Sequence, residues 1–411
     1  MTAFLQLALE LAILLALAKT SAYISIRLRQ PAVLGELLIG ILVGPSLVDV
    51  THLPFITSGH LDEVITELGE IGVLLLMFLA GLELHISDLA RNTRVSAYAG
   101  VLGVLFPLGM GWGFGRLIGL GGDQALFLGL TMGATSVSIS AQTLIELKAL
   151  RSRVGFGLLG AAVFDDVLVI LFMSSFLAII SGGGSGTLQI LITLGRMLLF
   201  LILSLAFGLW VLPRLVRAVA QTSVSQGAVT FAIVIMLVYG VAAELLGEVA
   251  AITGTFIAGL MFARTPEKTL IEPGLRAIAY GFFVPIFFVS IGLGIDLHDI
   301  QPAILWTVLG VIVLAALGKV LGAGLGAKLS GFSGREALQL GIGMISRGEV
   351  GLILASVGLS NGLLTPAIYS AIIGMVLVTT LITPPLLRAA FRRAKKPQMQ
   401  PVVQPSPEVD I

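Results

Sequence analysis

Apolar runs close to the roughly 20 residues that a helix needs to cross a hydrocarbon core recur thirteen times, at about 3–26, 31–48, 64–84, 95–119, 124–146, 152–181, 187–212, 226–246, 248–263, 275–296, 302–327, 336–360 and 364–387. Lipid offers no partner to a backbone N–H or C=O, so segments of this length must satisfy their own hydrogen bonds as helices. The predicted fold is an all-α polytopic membrane protein with 13 transmembrane helices. Composition agrees: 57% of the 411 residues are hydrophobic, 11% are charged and the mean hydropathy is +1.05, against about 25% charge in a soluble domain. The first run lacks a basic n-region and a small-residue cleavage site, which predicts a retained span and not a signal peptide.

Charge in the connections orients these spans, because short cytoplasmic loops are enriched in Lys and Arg. Alternate connections carry Arg27 and Arg29; Arg91 and Arg94; Lys148, Arg151 and Arg153; Arg214 and Arg217; Arg264, Lys268 and Arg276; Lys328 and Arg335; then Arg388, Arg392, Arg393, Lys395 and Lys396. The intervening ones hold Asp49, His52, His60, Asp62, Asp123, the run Ser181 to Gly184, Glu248, Asp296, His298 and Asp299. The pattern predicts an outside N-terminus and a cytoplasmic C-terminus. The tail from Lys395 to Ile411, with four prolines, is expected to be disordered.

Two internal matches suggest an inverted repeat. Gly35 to Gly40 (GELLIG) in helix two shares its glycine spacing with Gly254 to Gly259 (GTFIAG) in helix nine, and GLELHISD from Gly81 matches GLGIDLHD from Gly292. Both place partners seven helices apart, so the two halves run in opposite directions and join through helix seven. In such folds the site lies near the midplane, beside interrupted helices. Helix five, with Thr135, Ser136 and Ser138, and helix twelve, with Ser346, Arg347, Gly348 and Glu349, are both polar in mid-span. Unwound backbone there would offer carbonyls to a cation, and Thr135, Ser136 and Ser138 are candidate oxygen ligands.

The costliest residues are Asp165 and Asp166, adjacent in the apolar helix six. Burying an ionised carboxylate in hydrocarbon costs several kcal/mol or more, so a retained acid is a candidate functional group. The pair lies about fourteen residues into its helix, roughly 20 Å from the cytoplasmic end, and neighbours differ by about 100° around the axis. The two acids therefore point apart and can have different jobs. A proton and a dehydrated cation compete for the same carboxylate oxygens, which is the minimal physics of an exchanger. Lys319, deep in helix eleven, needs a partner, and one of the aspartates is the natural candidate; a structural ion pair or a snorkelling lysine is the alternative. Arg347 and Glu349 are expected to be structural, satisfying freed backbone groups at the break. Lys19, Arg116 and Arg196 have no role legible in the sequence.

Other chemistries are set aside. With no cysteine and four histidines, no metal centre and no cofactor are expected. Neither a GxxxxGK[ST] phosphate loop nor an HExxH zinc motif occurs, and a net charge of +1 gives no sign of a nucleic-acid partner. The expected partners are membrane lipid and monovalent cations. Three readings remain: cation exchange for protons, a sodium-coupled symporter of an organic anion, and a channel or non-transporting sensor.

The tandem acids in GAAVFDDVLVIL, the polar helix GATSVSISAQTLIEL, the repeats GELLIGILVGP and ITGTFIAGLMFA, and the elements PIFFVSIGLGIDL and MISRGEVGLILA together resemble the monovalent cation:proton antiporters of the Kef and Nap branch. The resemblance covers about residues 1–390 and implies a homodimer with an NhaA-like antiporter fold and crossed broken helices five and twelve. It implies dimerisation helices one to three (1–90) and eight to ten (223–300), core helices four to six (91–184) and eleven to thirteen (301–390), linker helix seven (185–222) and a cytoplasmic tail (391–411). It further implies that Asp166 binds cation and proton in turn, that Asp165 pairs with Lys319, and that Thr135 and Ser136 form the helix-five break, so that Na+ would be held by Asp166, Asp165 and Thr135. Potassium-efflux members often have Gln before the Asp and a nucleotide-binding domain. Asp165 stands there in this chain, which points to an electrogenic sodium/proton exchanger of a prokaryotic inner membrane, working by elevator-type alternating access, with K+ or Li+ as rival ions.

Overall fold

The computed structural model describes residues 2–45, 47, 61–84, 92–180, 186–222, 224–294, 304–360 and 362–391. Asp49, His52, His60, Arg91, the run Ser181 to Gly184, Asp296, His298, Asp299 and the tail lie outside the described residues, as does the second half of the GLELHISD match.

Among the described residues the chain is helical from end to end. The order is α1 (Ala3–Arg27), α2 (Ala32–Val43), α3 (Leu61–Glu83), α4 (Thr93–Leu117), α5 in two pieces (Gly122–Gly133 and Val137–Glu146) and α6 (Arg153–Ile180). Then come α7 (Gly186–Ala206, continued through a π turn at Phe207–Val211 into Leu212–Ala220), α8 (Gly227–Gly247), α9 (Ala251–Phe262) and α10 (Lys268–Ile278, a π turn at Ala279–Phe283, then Val284–Leu293). Last are α11 (Leu305–Leu329), α12 in two pieces (Gly334–Gly343 and Glu349–Ser360) and α13 (Pro366–Phe391).

Ten of these are long and apolar enough to cross a membrane, three fewer than expected; α2, α9 and the second piece of α12 are shorter apolar helices. The difference has a local cause. Pro31 opens α2 and Gly44 ends it, while α9 begins only after Ala250, so each has 12 residues although the apolar run around it is longer. At ~1.5 Å per residue such a helix rises ~18 Å, short of a core about 30 Å thick. In α12 the run is cut by the five non-helical residues Met344 to Gly348.

Glycines set how closely the helices approach. A methyl group at Gly40 of α2 would overlap the Val289 carbonyl oxygen of α10, and one at Gly292 of α10 would meet Gly40 and Ile41. Likewise, a methyl at Gly259 of α9 would overlap the Phe78 carbonyl of α3, and one at Gly81 of α3 the Phe256 carbonyl of α9. The contact of α2 with α10 is thus repeated by α9 with α3, which is how the matched motifs are expected to meet if the halves are related by a two-fold axis. Gly35 against Ser21 of α1 and Gly254 against Tyr239 of α8 follow the same relation.

A third seam brings charges together. Gly318, Gly322 and Gly326, spaced by four on α11, lie on α4 against Pro107, Leu102 and Tyr98. Small residues at this spacing let two backbones touch. On another side of α4, Gly100 receives Ala161 and Phe164 of α6. Both α6 and α11 therefore close on α4, and Lys319 comes within reach of Asp165.

Candidate functional site

The breaks in α5 and α12 bond to each other. The Ser136 N–H donates to the Ser346 carbonyl at 2.9 Å, and the Ser346 hydroxyl donates back to the Ser136 carbonyl at 2.6 Å. Ser140 Oγ donates to the Gly343 carbonyl at 2.5 Å. Interrupted helices free backbone groups that a hydrocarbon surrounding cannot satisfy, and here each break supplies partners to the other.

Arg347 bridges the two breaks. It is fully buried, and its guanidinium donates to Met344 at 3.0 Å and Ile345 at 2.6 Å, at the end of the first piece of α12. It also donates to Met132 at 2.7 Å, in the last turn of the first piece of α5, and to Ala315 of α11 at 3.2 Å. A positive charge at two helix C-termini is held by the carbonyls and by the negative ends of both dipoles. The Arg347 carbonyl in turn accepts from Thr380 of α13. Glu349 opens the second piece of α12, but its side chain lies outside the described residues.

Asp165 and Asp166 point to different neighbours. Lys319 Nζ donates to Asp165 Oδ1 at 2.5 Å, with both side chains buried. Asp165 Oδ2 is buried with no hydrogen-bond partner among the described residues. Asp166, 8% exposed, faces α9, where Thr253 Oγ1 donates to its Oδ2 at 2.9 Å. The void at Asp166 measures about 10 Å³, no more than one water needs. Val137 of α5, Val163 of α6, Met77 of α3, and Ile252 and Phe256 of α9 close it.

Of the three hydroxyls on α5, Ser136 and Ser138 lie 3.0 Å from each other. Thr135 Oγ1 is buried with no hydrogen-bond partner among the described residues. The structure thus brings Asp165 to Lys319, gathers Arg347, Ser346 and Ser136 where the two breaks meet, and sets Asp166 against α9. Thr253 did not emerge from the sequence reading. The signal for it was a hydroxyl inside the apolar run of the ninth helix, adjacent to the glycine-spaced repeat.

A second cavity of about 580 Å³ opens between α1, α2, α5, α10 and α13, lined by Lys19, Glu36, Gln142, Glu146, Tyr280 and Arg388 among others. It lies at the far end of the second piece of α5 from Val137. There Glu146 accepts from the backbone N–H of Ala32 at 2.7 Å and of Val33 at 3.3 Å. Pro31 offers α2 no side-chain cap, so a carboxylate from α5 does so. Lys19 donates to the Tyr280 carbonyl at 2.8 Å and lies 3.8 Å from Glu36. The other basic residues without a legible role close helix ends. Arg116 donates to the Leu120 carbonyl at 2.9 Å, and Arg196 to Leu245 at 2.6 Å, Leu246 at 3.1 Å and Glu248.

Fold and site together define an all-helical, multi-pass membrane protein whose interior carries paired charges beside two interrupted helices that hydrogen-bond to each other. The chain belongs to the sodium/hydrogen exchanger family, whose transmembrane description matches residues 12–392. It is 38% identical over 382 residues to the Na(+)/H(+)-K(+) antiporter GerN of Bacillus cereus, covering 93% of this chain and 95% of that protein. To an Na(+)/H(+) antiporter of Enterococcus hirae it is 35% identical over 378 residues, covering 92% and 96%. In structure it is similar to the sodium proton antiporter MjNhaP1 from Methanocaldococcus jannaschii, with a TM-score of 0.65 over 95% of this chain and all of that one, at 20% identity. This last likeness shows the fold alone.

Proposed function

We propose that the protein is a monovalent cation/proton antiporter that exchanges cytoplasmic sodium for external protons, with cation and proton competing for Asp166. The observation that carries this reading is the division of labour between the two acids. Asp165 is neutralised by Lys319, whereas Asp166 presents its carboxylate to a small void at the boundary between α6 and α9. Family membership and the names of the Bacillus and Enterococcus relatives support the transported ions. The GerN relative's name includes potassium, so K+ is retained as the rival cation.

The same reading takes the chain across the membrane thirteen times, with α2, α9 and α12 as short or broken spans, the N-terminus outside and the C-terminus in the cytoplasm of a prokaryotic inner membrane. The alternation of Lys and Arg between connections supports that topology. It takes α4 to α6 and α11 to α13 as a core that moves, elevator-like, against α1 to α3 and α8 to α10 in a homodimer, with α7 as linker. The reciprocal glycine contacts within α2, α3, α9 and α10 support a stiff outer frame. Two buried acids and Lys319 allow more than one proton per cation, hence an electrogenic cycle, for which the membrane potential supplies about 2.3 kcal/mol per charge per 100 mV.

Purified protein in liposomes tests this. Sodium added outside proton-loaded vesicles should dissipate the pH gradient, and an imposed potential should alter the rate. Asp166→Asn should abolish exchange; normal exchange by that variant would refute the site, and indifference to potential would refute electrogenic transport.

A further inference from the structure

We infer that Thr253 is a ligand of the transported cation, so that the site is assembled from both sides of the boundary between α6 and α9. The inference rests on the proposed exchange at Asp166 and adds to it a residue of α9, outside the helices that carry the acids and the broken segments.

Thr253 is 3% exposed, and its Oγ1 meets Asp166 Oδ2 at 2.9 Å. The void at that contact, about 10 Å³, has no room for a hydration shell. An ion held there must replace its waters with protein oxygens, and the side chains of Met77, Val137, Ile252 and Phe256 bring no oxygen to the lining. The Thr253 hydroxyl offers an oxygen to Asp166 across the void. Thr135, two residues before Val137 on the α5 break, holds a buried hydroxyl without a hydrogen-bond partner among the described residues.

A hydroxyl has one proton to donate and two lone pairs. Without a cation, the Thr253 proton meets the Asp166 carboxylate. When a cation takes that position, the hydroxyl turns its proton to a carbonyl of the preceding turn and offers a lone pair to the ion. Threonines in helices make such bonds readily; in this protein Thr255 donates to the Ile252 carbonyl at 3.0 Å and Thr143 to Ile139 at 2.8 Å. Oxygens that start 2.9 Å apart need little spreading to hold a small dehydrated cation and more to hold potassium. Thr253 therefore favours sodium over potassium as well as binding it.

The test is the liposome exchange assay on Thr253→Val, which removes the hydroxyl at nearly constant volume, and Thr253→Ser, which restores it. Valine should raise the KM for sodium about tenfold, the change expected when a charged group loses one polar partner, with the maximum rate within about twofold and a smaller sodium-to-potassium preference. A KM effect at constant maximum rate is the mark of a lost binding interaction. Serine should return both KM and preference toward wild type. Where the valine variant does not fold, Thr253→Ala against Thr253→Ser decides on the same comparison. A wild-type KM in the valine variant, or a fall in rate that serine does not rescue, would overturn the inference. Failure of the wild-type protein to exchange any monovalent cation would overturn the proposed function, and this inference with it; active wild type with an unchanged valine variant overturns this inference alone.

Discussion

Replacing Arg347 by Met keeps a side chain of similar length and removes the one group that closes both helix breaks. Three carbonyls at helix ends, those of Met132, Met344 and Ile345, would lose their donors at 2.7, 3.0 and 2.6 Å. Ala315 is spared, because a carbonyl within α11 keeps its helical partner. A buried acceptor without a donor costs about 1–3 kcal/mol, so the gross loss is roughly 3–9 kcal/mol. Part returns because the guanidinium no longer has to be desolvated, and a net loss of about 3–5 kcal/mol follows. For a protein of this size the melting temperature should fall by roughly 3–6 °C. Arg347→Lys retains the charge but not the planar fork that reaches four carbonyls, and should recover no more than about half of the loss. The assay is thermal unfolding of detergent-purified protein followed by size-exclusion chromatography. An Arg347→Met protein melting within about 2 °C of wild type would show that water or backbone rearrangement satisfies the breaks, and the account of Arg347 would fail.

Lys319→Ala leaves the buried Asp165 carboxylate without its partner and should cost about 3–5 kcal/mol, while the double change with Asp165→Asn should recover most of that; a double variant no more stable than the single would refute the pair. Glu146→Ala removes the cap of α2 and should lower stability by about 1 kcal/mol, with Glu146→Gln closer to wild type because its amide oxygen still accepts. Equal melting of all three proteins would show that the α2 N-terminus is satisfied by other groups.

Among the described residues each long helix overlaps a hydrophobic run, because burial in lipid imposes one requirement on every residue of a span. Run length overstated the short ones, since Pro31, Gly44 and Ala250 are apolar enough to extend a run without being helical. Asp165, Asp166 and Lys319 were legible through their cost. The partners of Arg347 were not, for they are backbone carbonyls from three helices and no side chain marks them. Glu146 likewise reads as an ordinary helix-end acid until α2 is seen to begin beside it. Thr253 was hidden because one threonine in an apolar helix usually bonds to its own backbone, as Thr255 does.

The two glycine seams, α2 on α10 and α3 on α9, put backbone directly on backbone, and such contacts leave no side chain free to reorganise. A wall joined that way resists shear: to slip by even one residue it would drive a carbonyl oxygen into the neighbouring chain. In the proposed alternating-access cycle, movement would then run along the other kind of surface, where Met77, Ile252 and Phe256 share an apolar cluster with Val137 and Val163. Dispersion contacts of this sort are interchangeable and have little directional preference. On the proposed cycle the molecule is in effect a bearing: hard rails on one side, an apolar, lubricated face on the other, and at that face the directional bond from Thr253 to Asp166.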